Sequence, residues 1–85
     1  MTKLYKFTAE NISRRTTTEF VHKLEDEGVE VEAAAMDPIF ENQCILIVSC
    51  DWVAAKKLRD RIWKLNQGLC CDMAVITADG LEEYL

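Results

Sequence analysis

Eighty-five residues, 49% hydrophobic and 29% charged with a formal net charge of −5, describe an ordinary single globular domain. A chain of this size buries only about 60–65% of its unfolded surface, so its core is modest and association would help it. No apolar stretch approaches the ~18–20 residues of a membrane span, and Met1-Thr2-Lys3 runs straight into a strand-like segment instead of a signal peptide, so no membrane partner and a cytoplasmic location are expected.

Residues 3–9 alternate, with Tyr5, Phe7 and Ala9 on one side and Leu4, Lys6 and Thr8 on the other, which is the period of a strand. Thr16-Thr17-Thr18-Glu19 has the spacing of a capping box. A helix capped by Thr16, with Glu19 reaching back to it, is therefore expected to bury Phe20, Val21 and Leu24 and to stop at Gly28. In a second strand Val29, Val31, Ala33 and Ala35 alternate with Glu30, Glu32 and Ala34. Asp37 to Asn42 holds Pro38 and other turn formers, and reads as a connection carrying Ile39 and Phe40 as apolar loop residues.

The third strand, Cys44 to Cys50, is apolar at both parities and reads as buried on both faces. Asp51 is a natural N-cap for a second helix, in which Ala54, Ala55, Leu58, Ile62 and Leu65 recur at helical spacing through about Asn66, with Gly68 as its stop. Residues 69–78 form a fourth strand, and Asp79-Gly80 opens a short acidic tail ending in Tyr84-Leu85.

Strand, helix, strand, strand, helix, strand is the order of an α+β, ferredoxin-like split βαββαβ domain, with a four-stranded antiparallel sheet, strands one and three central, and both helices on one face. That leaves the other face in need of a cover. If Tyr5, Phe7, Val29, Val31, Leu46, Val48, Met73 and Val75 face the helices, then Leu4, Lys6, Glu30, Glu32, Ile45, Ile47, Asp72, Ala74 and Ile76 face away. An apolar centre inside a charged rim resembles an interface, and the expected cover is a second copy. Glu at Ile45 or Ile47 is then expected to impair association while sparing the fold.

A second candidate interface lies on helix two. At 100° per residue Trp52, Lys56, Arg59 and Trp63 fall within about 60° of one another, to the side of the Ala55, Leu58 and Ile62 stripe. Trp and Arg are the types most enriched at binding hot spots. The competing expectation is that Trp63 packs beneath the C-terminal tail, whose Glu82 and Glu83 would suit the basic helix. Glu25 to Asp51 carries eight acidic residues and no basic one, whereas Trp52 to Lys64 carries five basic residues against Asp60 alone, so the molecule is electrically polar.

Catalytic and metal chemistry find little support. His22 is the single histidine and projects away from the Phe20 and Leu24 face, leaving no base for a Ser or Cys nucleophile. Cys44 and Cys50, six residues apart on one strand face, stand about 20 Å from each other, and the neighbours Cys70 and Cys71 point to opposite faces. The cysteines read as reduced, small hydrophobes. No cofactor, metal or enzyme activity is expected.

The acidic balance opposes nucleic acid, and no Gly-rich phosphate loop follows the first strand. The expected function is a small non-enzymatic protein-interaction module that self-associates through the helix-free sheet face. A regulatory small-ligand domain at a dimer interface and an acidic nucleic-acid-mimicking inhibitor are the alternatives.

Overall fold

A computed structural model describes residues 2–36, 43–67, 69 and 71–85 of the chain. In chain order these form β1 (Lys3–Ala9), α1 (Arg14–Asp26), β2 (Glu30–Met36), β3 (Cys44–Cys50), α2 (Trp52–Leu65), β4 (Cys71–Ile76) and a short α3 (Ala78–Glu82). The strands make one antiparallel sheet in the order β2-β3-β1-β4, which puts β1 and β3 in the centre as expected. The expected 37–42 connection and the Gly68 stop lie outside the described residues. No helix among the described residues is long and apolar enough to cross a membrane.

The core forms where the inward parities of the two central strands meet the apolar stripes of α1 and α2. Tyr5, Phe7 and Ala9 of β1 and Cys44, Leu46 and Val48 of β3 are buried against Leu24 of α1 and Ala55, Leu58 and Ile62 of α2. Both longer helices thus share one face of the sheet. At the C-terminal end of α2 the buried Asn66 donates from Nδ2 to the Glu10 carbonyl at 3.2 Å, tying that end to the β1–α1 connection.

Helix α1 starts one turn earlier than the capping-box spacing implied. Ser13 is the N-cap, its Oγ accepting from the Thr16 amide at 3.1 Å. Ser13 also donates to the Thr16 hydroxyl, and Glu19 pairs with Arg15 at 3.2 Å instead of reaching back. The far end follows expectation and shows why Gly is there. Gly28 has φ +85°, its amide donates to the Glu25 carbonyl at 3.0 Å, and the Val29 amide donates to the Leu24 carbonyl at 3.0 Å. This is a Schellman stop, and Val29 comes out of it packed on the core. Gly28→Ala is expected to cost about 1–2 kcal/mol through backbone strain alone, since a Cβ there meets nothing within 4 Å. A thermal melt checks it, and an unchanged Tm would show that the left-handed turn relaxes without cost.

In β2 the simple alternation fails. Val31 stands opposite Val48, but the next pair is Ala33 with Ile47, so Glu32 is an extra, bulged residue. Paired residues share a face, and the slip therefore turns Ala34 and Met36 to the helix side and Ala33 and Ala35 away, opposite to the expected parity. Glu30, opposite Ser49, keeps its expected place; Glu32 has no partner in the register.

The largest departure is at the C-terminus. Strand β4 ends at Ile76, and Thr77 caps α3 by accepting the Gly80 amide at its Oγ1, 3.3 Å away. The expected tail is thus a third helix, and it turns onto the sheet face that α1 and α2 leave bare. A Cβ at Gly80 would sit 3.6 Å from the Ile76 Cβ. Farther on, Lys6 Nζ donates to Tyr84 Oη at 3.4 Å and lies 5.7 Å from the centre of that ring.

Candidate functional site: the outer side of the second helix

Strand parity and burial divide the expected sheet-face residues. By register Leu4, Lys6, Glu30, Ile45, Ile47, Ala74 and Ile76 do lie on the face away from α1 and α2. Ile47, however, is 0% exposed in a single copy of the chain, and Leu4, Lys6, Ile45 and Ile76 are half-buried. Ile47 is thus covered from within the chain, and the C-terminal segment reaches this face where Tyr84 meets Lys6. Ile47 is consequently a packed residue, contrary to its expected role as a replaceable contact. Glu32, as the bulged residue, is not set on this face by the register.

Helix two behaves differently. Asp51 caps α2 through Oδ1, which accepts the Ala54 amide at 2.8 Å, so the start of the helix and the angles of all its residues are set where the sequence placed them. Its buried stripe is Ala55, Leu58 and Ile62. Beside that stripe Trp52 and Trp63 remain 54% and 50% exposed, too much for surfaces that a folded core requires. The Lys56 ammonium lies over the Trp52 ring at 5.9 Å, and the ring itself tilts against Tyr5 with centroids 6.3 Å apart. Arg59, Asp60 and Trp63 line a surface hollow of ≈ 400 Å³ together with Cys71 of β4. The Tyr84 contact with Lys6 puts the tail end on the opposite side of the sheet, so the expectation that it covers Trp63 is not met.

Alternation alone did not reveal how far this surface continues. Val75 pairs with Tyr5 and so faces the helix side, yet it is 57% exposed, and Leu69 is 62% exposed. Val75 belongs to the β4 margin of the sheet, which α2 covers incompletely, and Leu69 precedes that strand. The signal available in the sequence was the fold order itself, which puts the fourth strand at an edge.

Other groups have structural employment. Arg61, also on α2, forms a two-pronged ion pair with Glu27 at 2.7 and 2.9 Å and stacks over Phe20, 5.3 Å from its ring centre. The hydrogen bond from Arg61 holds the Glu27 carboxyl below the usual carboxylate range. Burial pushes the Cys44 thiol up, and burial with the neighbouring Asp51 charge does the same to Cys50, so both are poor nucleophiles at neutral pH. His22 is exposed on α1 as expected, and among the described residues no three His, Cys, Asp or Glu side chains cluster as metal ligands would.

No family model, no curated protein and no solved structure matches the chain.

Proposed function

We propose that this chain is a non-enzymatic protein-interaction domain of the ferredoxin-like split βαββαβ type, extended by a short C-terminal helix, and that it meets its partner through the outer side of α2. The order β2-β3-β1-β4 supports the fold type. The observation that carries the function is the pair of half-exposed indoles, Trp52 and Trp63, with Lys56 and Arg59 between them. Large aromatics set beside cations supply both the apolar area and the orientation that a protein contact needs.

Crosslinked capture from cells tests this with the double variant Trp63→Ala/Arg59→Ala and a control, Glu25→Ala, on the exposed side of α1. Proteins recovered with the wild type and the control are expected to be missing from the double variant at unchanged Tm. Identical recovery by all three would sink the assignment to α2.

Two other readings carry less support. Self-association through the sheet face requires the C-terminal segment to leave it. A small-ligand site would use the cavity of ≈ 430 Å³ beside Val48, Cys50, Ala54 and Lys57, but its Arg61 is already committed to Glu27 and its Lys57 shares the lining with Glu30.

A further inference from the structure

The bulge in β2 has a consequence at the far end of the strand. Alternation from the inward Val31 would turn Met36 to the face away from the helices, and the extra residue at Glu32 turns it in. There Met36 stands directly opposite Cys44, the first residue of β3, whose side chain belongs to the core. Thr17 of α1 meets both. Its Oγ1 lies 3.7 Å from Met36 Sδ, and the Cys44 thiol bonds to the same hydroxyl. A thioether, a thiol and a hydroxyl thus converge where the end of the β2–β3 pair meets the first turn of α1.

The convergence can be reached from outside. A hollow of ≈ 420 Å³ between α1 and β2 is lined by Thr17 and Met36, with Arg14, Thr18 and His22 on its α1 side. Cys44, 7% exposed, is approached from it past Thr17 and Met36. One ion can bond both sulfurs. At about 2.3 Å per metal–sulfur bond, two sulfurs in line on one ion stand roughly 4.6 Å apart. Directly opposed residues of an antiparallel pair have Cβ atoms about 4.5–5.5 Å apart, so a rotamer change in the unbranched Met36 side chain suffices.

We propose that Met36 and Cys44 form a binding site for a soft monovalent cation, Cu(I), entered through the hollow between α1 and β2. Ligand type selects the class of ion, since thiolate with thioether suits Cu(I) and does not suit calcium or magnesium. Charge then selects the monovalent ion. Cu(I) and one thiolate sum to zero and cost little to bury. Zinc would leave a net positive charge beside Arg14, and the described lining of the hollow holds no carboxylate to offset it. Binding is an exchange: the Cys44 thiol gives its proton to water, a sulfur–copper bond forms, the Met36 thioether donates a lone pair, and nothing is oxidised or reduced. The site shares no residue with the outer side of α2 and does not depend on what that surface meets.

The test is an anaerobic titration of the full chain, its methionine methyls labelled with carbon-13, by Cu(I) supplied as the acetonitrile complex. A chromogenic Cu(I) chelator present as competitor reads the affinity. The first equivalent is expected to move the Met36 methyl signal and to leave those of Met1 and Met73 in place. Met36→Leu, a change of similar volume, should weaken uptake at least about tenfold, and Cys44→Ala at least about a hundredfold, with Cys50→Ala like the wild type. Should Cys44→Ala fail to fold, the Met36 methyl and Met36→Leu decide the matter.

No uptake against the chelator would overturn the proposal and leave the two sulfurs as core packing. Uptake that Cys50→Ala abolishes, or that leaves the Met36 methyl unmoved, would put the metal elsewhere and overturn it equally. Zinc taken up in preference to Cu(I) by the same two residues would overturn the choice of a monovalent ion.

Discussion

Ile47→Glu is expected to destabilise the protein by about 3–5 kcal/mol, enough to leave a domain of this size largely unfolded at room temperature. Ile47 lies mid-strand in central β3, opposite Lys6 on one side and Ala33 on the other, and is 0% exposed. A carboxyl group there loses its hydration, and its first recourse is to protonate, which is itself a cost at neutral pH. The nearby cation is Lys6, whose ammonium already serves Tyr84, so pairing with it would offset part of the penalty by breaking another contact. Ile45→Glu is the informative companion. Ile45 is half-buried at the end of the strand, opposite Thr8 and Ala35, and should lose only about 1–2 kcal/mol. Urea unfolding of both variants decides the matter. If Ile47→Glu were as stable as the wild type, the far face of the sheet would have to be open, and the contact role first given to Ile47 would return.

The difference between these two isoleucines was not readable from alternation, because alternation reports which face a residue takes and not what lies over that face. Signals that act locally were legible. Asp51 sits three residues before the amide it caps, Gly28 supplies a φ of +85° that a non-glycine resists, and the double-sided apolarity of Cys44 to Cys50 correctly announced a covered strand.

What depended on a partner element was hidden. Ala33, Ala34 and Ala35 are small and apolar at both parities, so a one-residue slip in β2 creates no clash between pattern and burial, and only the register with β3 reveals it. The choice between Ser13 and Thr16 as cap was a competition between two competent hydroxyls one turn apart. Helix α3, at five residues, is too short to show a period, and its Asp79-Gly80 pair has the composition of a turn. For the candidate site the same division holds. Periodicity alone put Trp52, Lys56, Arg59 and Trp63 on one side of α2, whereas the exposure of Val75 follows from β4 being an edge.

Deleting residues 81–85 should separate the two surfaces of the sheet. Leu81 and Tyr84 are half-buried in this segment, where full burial of such side chains is worth about 1.5–3 kcal/mol each. Allowing for partial burial and for the entropy of ordering a chain terminus, a loss of about 1–3 kcal/mol is expected in thermal or urea unfolding. Tryptophan emission should not move, because Trp52 and Trp63 stand on the side of the sheet opposite to the Tyr84–Lys6 contact.

The association state should move. The full chain is expected to be monomeric by light scattering at high micromolar concentration. The shortened chain uncovers Leu4, Ile45 and Ile76 inside a rim of Lys6, Glu30 and Asp72, and should dimerise, because an exposed apolar centre with mixed charges around it is complementary to itself across a two-fold axis. A shift in tryptophan emission would place the tail on Trp63 and take α2 out of contention as a contact surface. A full-length chain that dimerises as readily as the shortened one would show that the C-terminal helix does not shield the sheet, and that the apolar face of β3 is shared between copies after all.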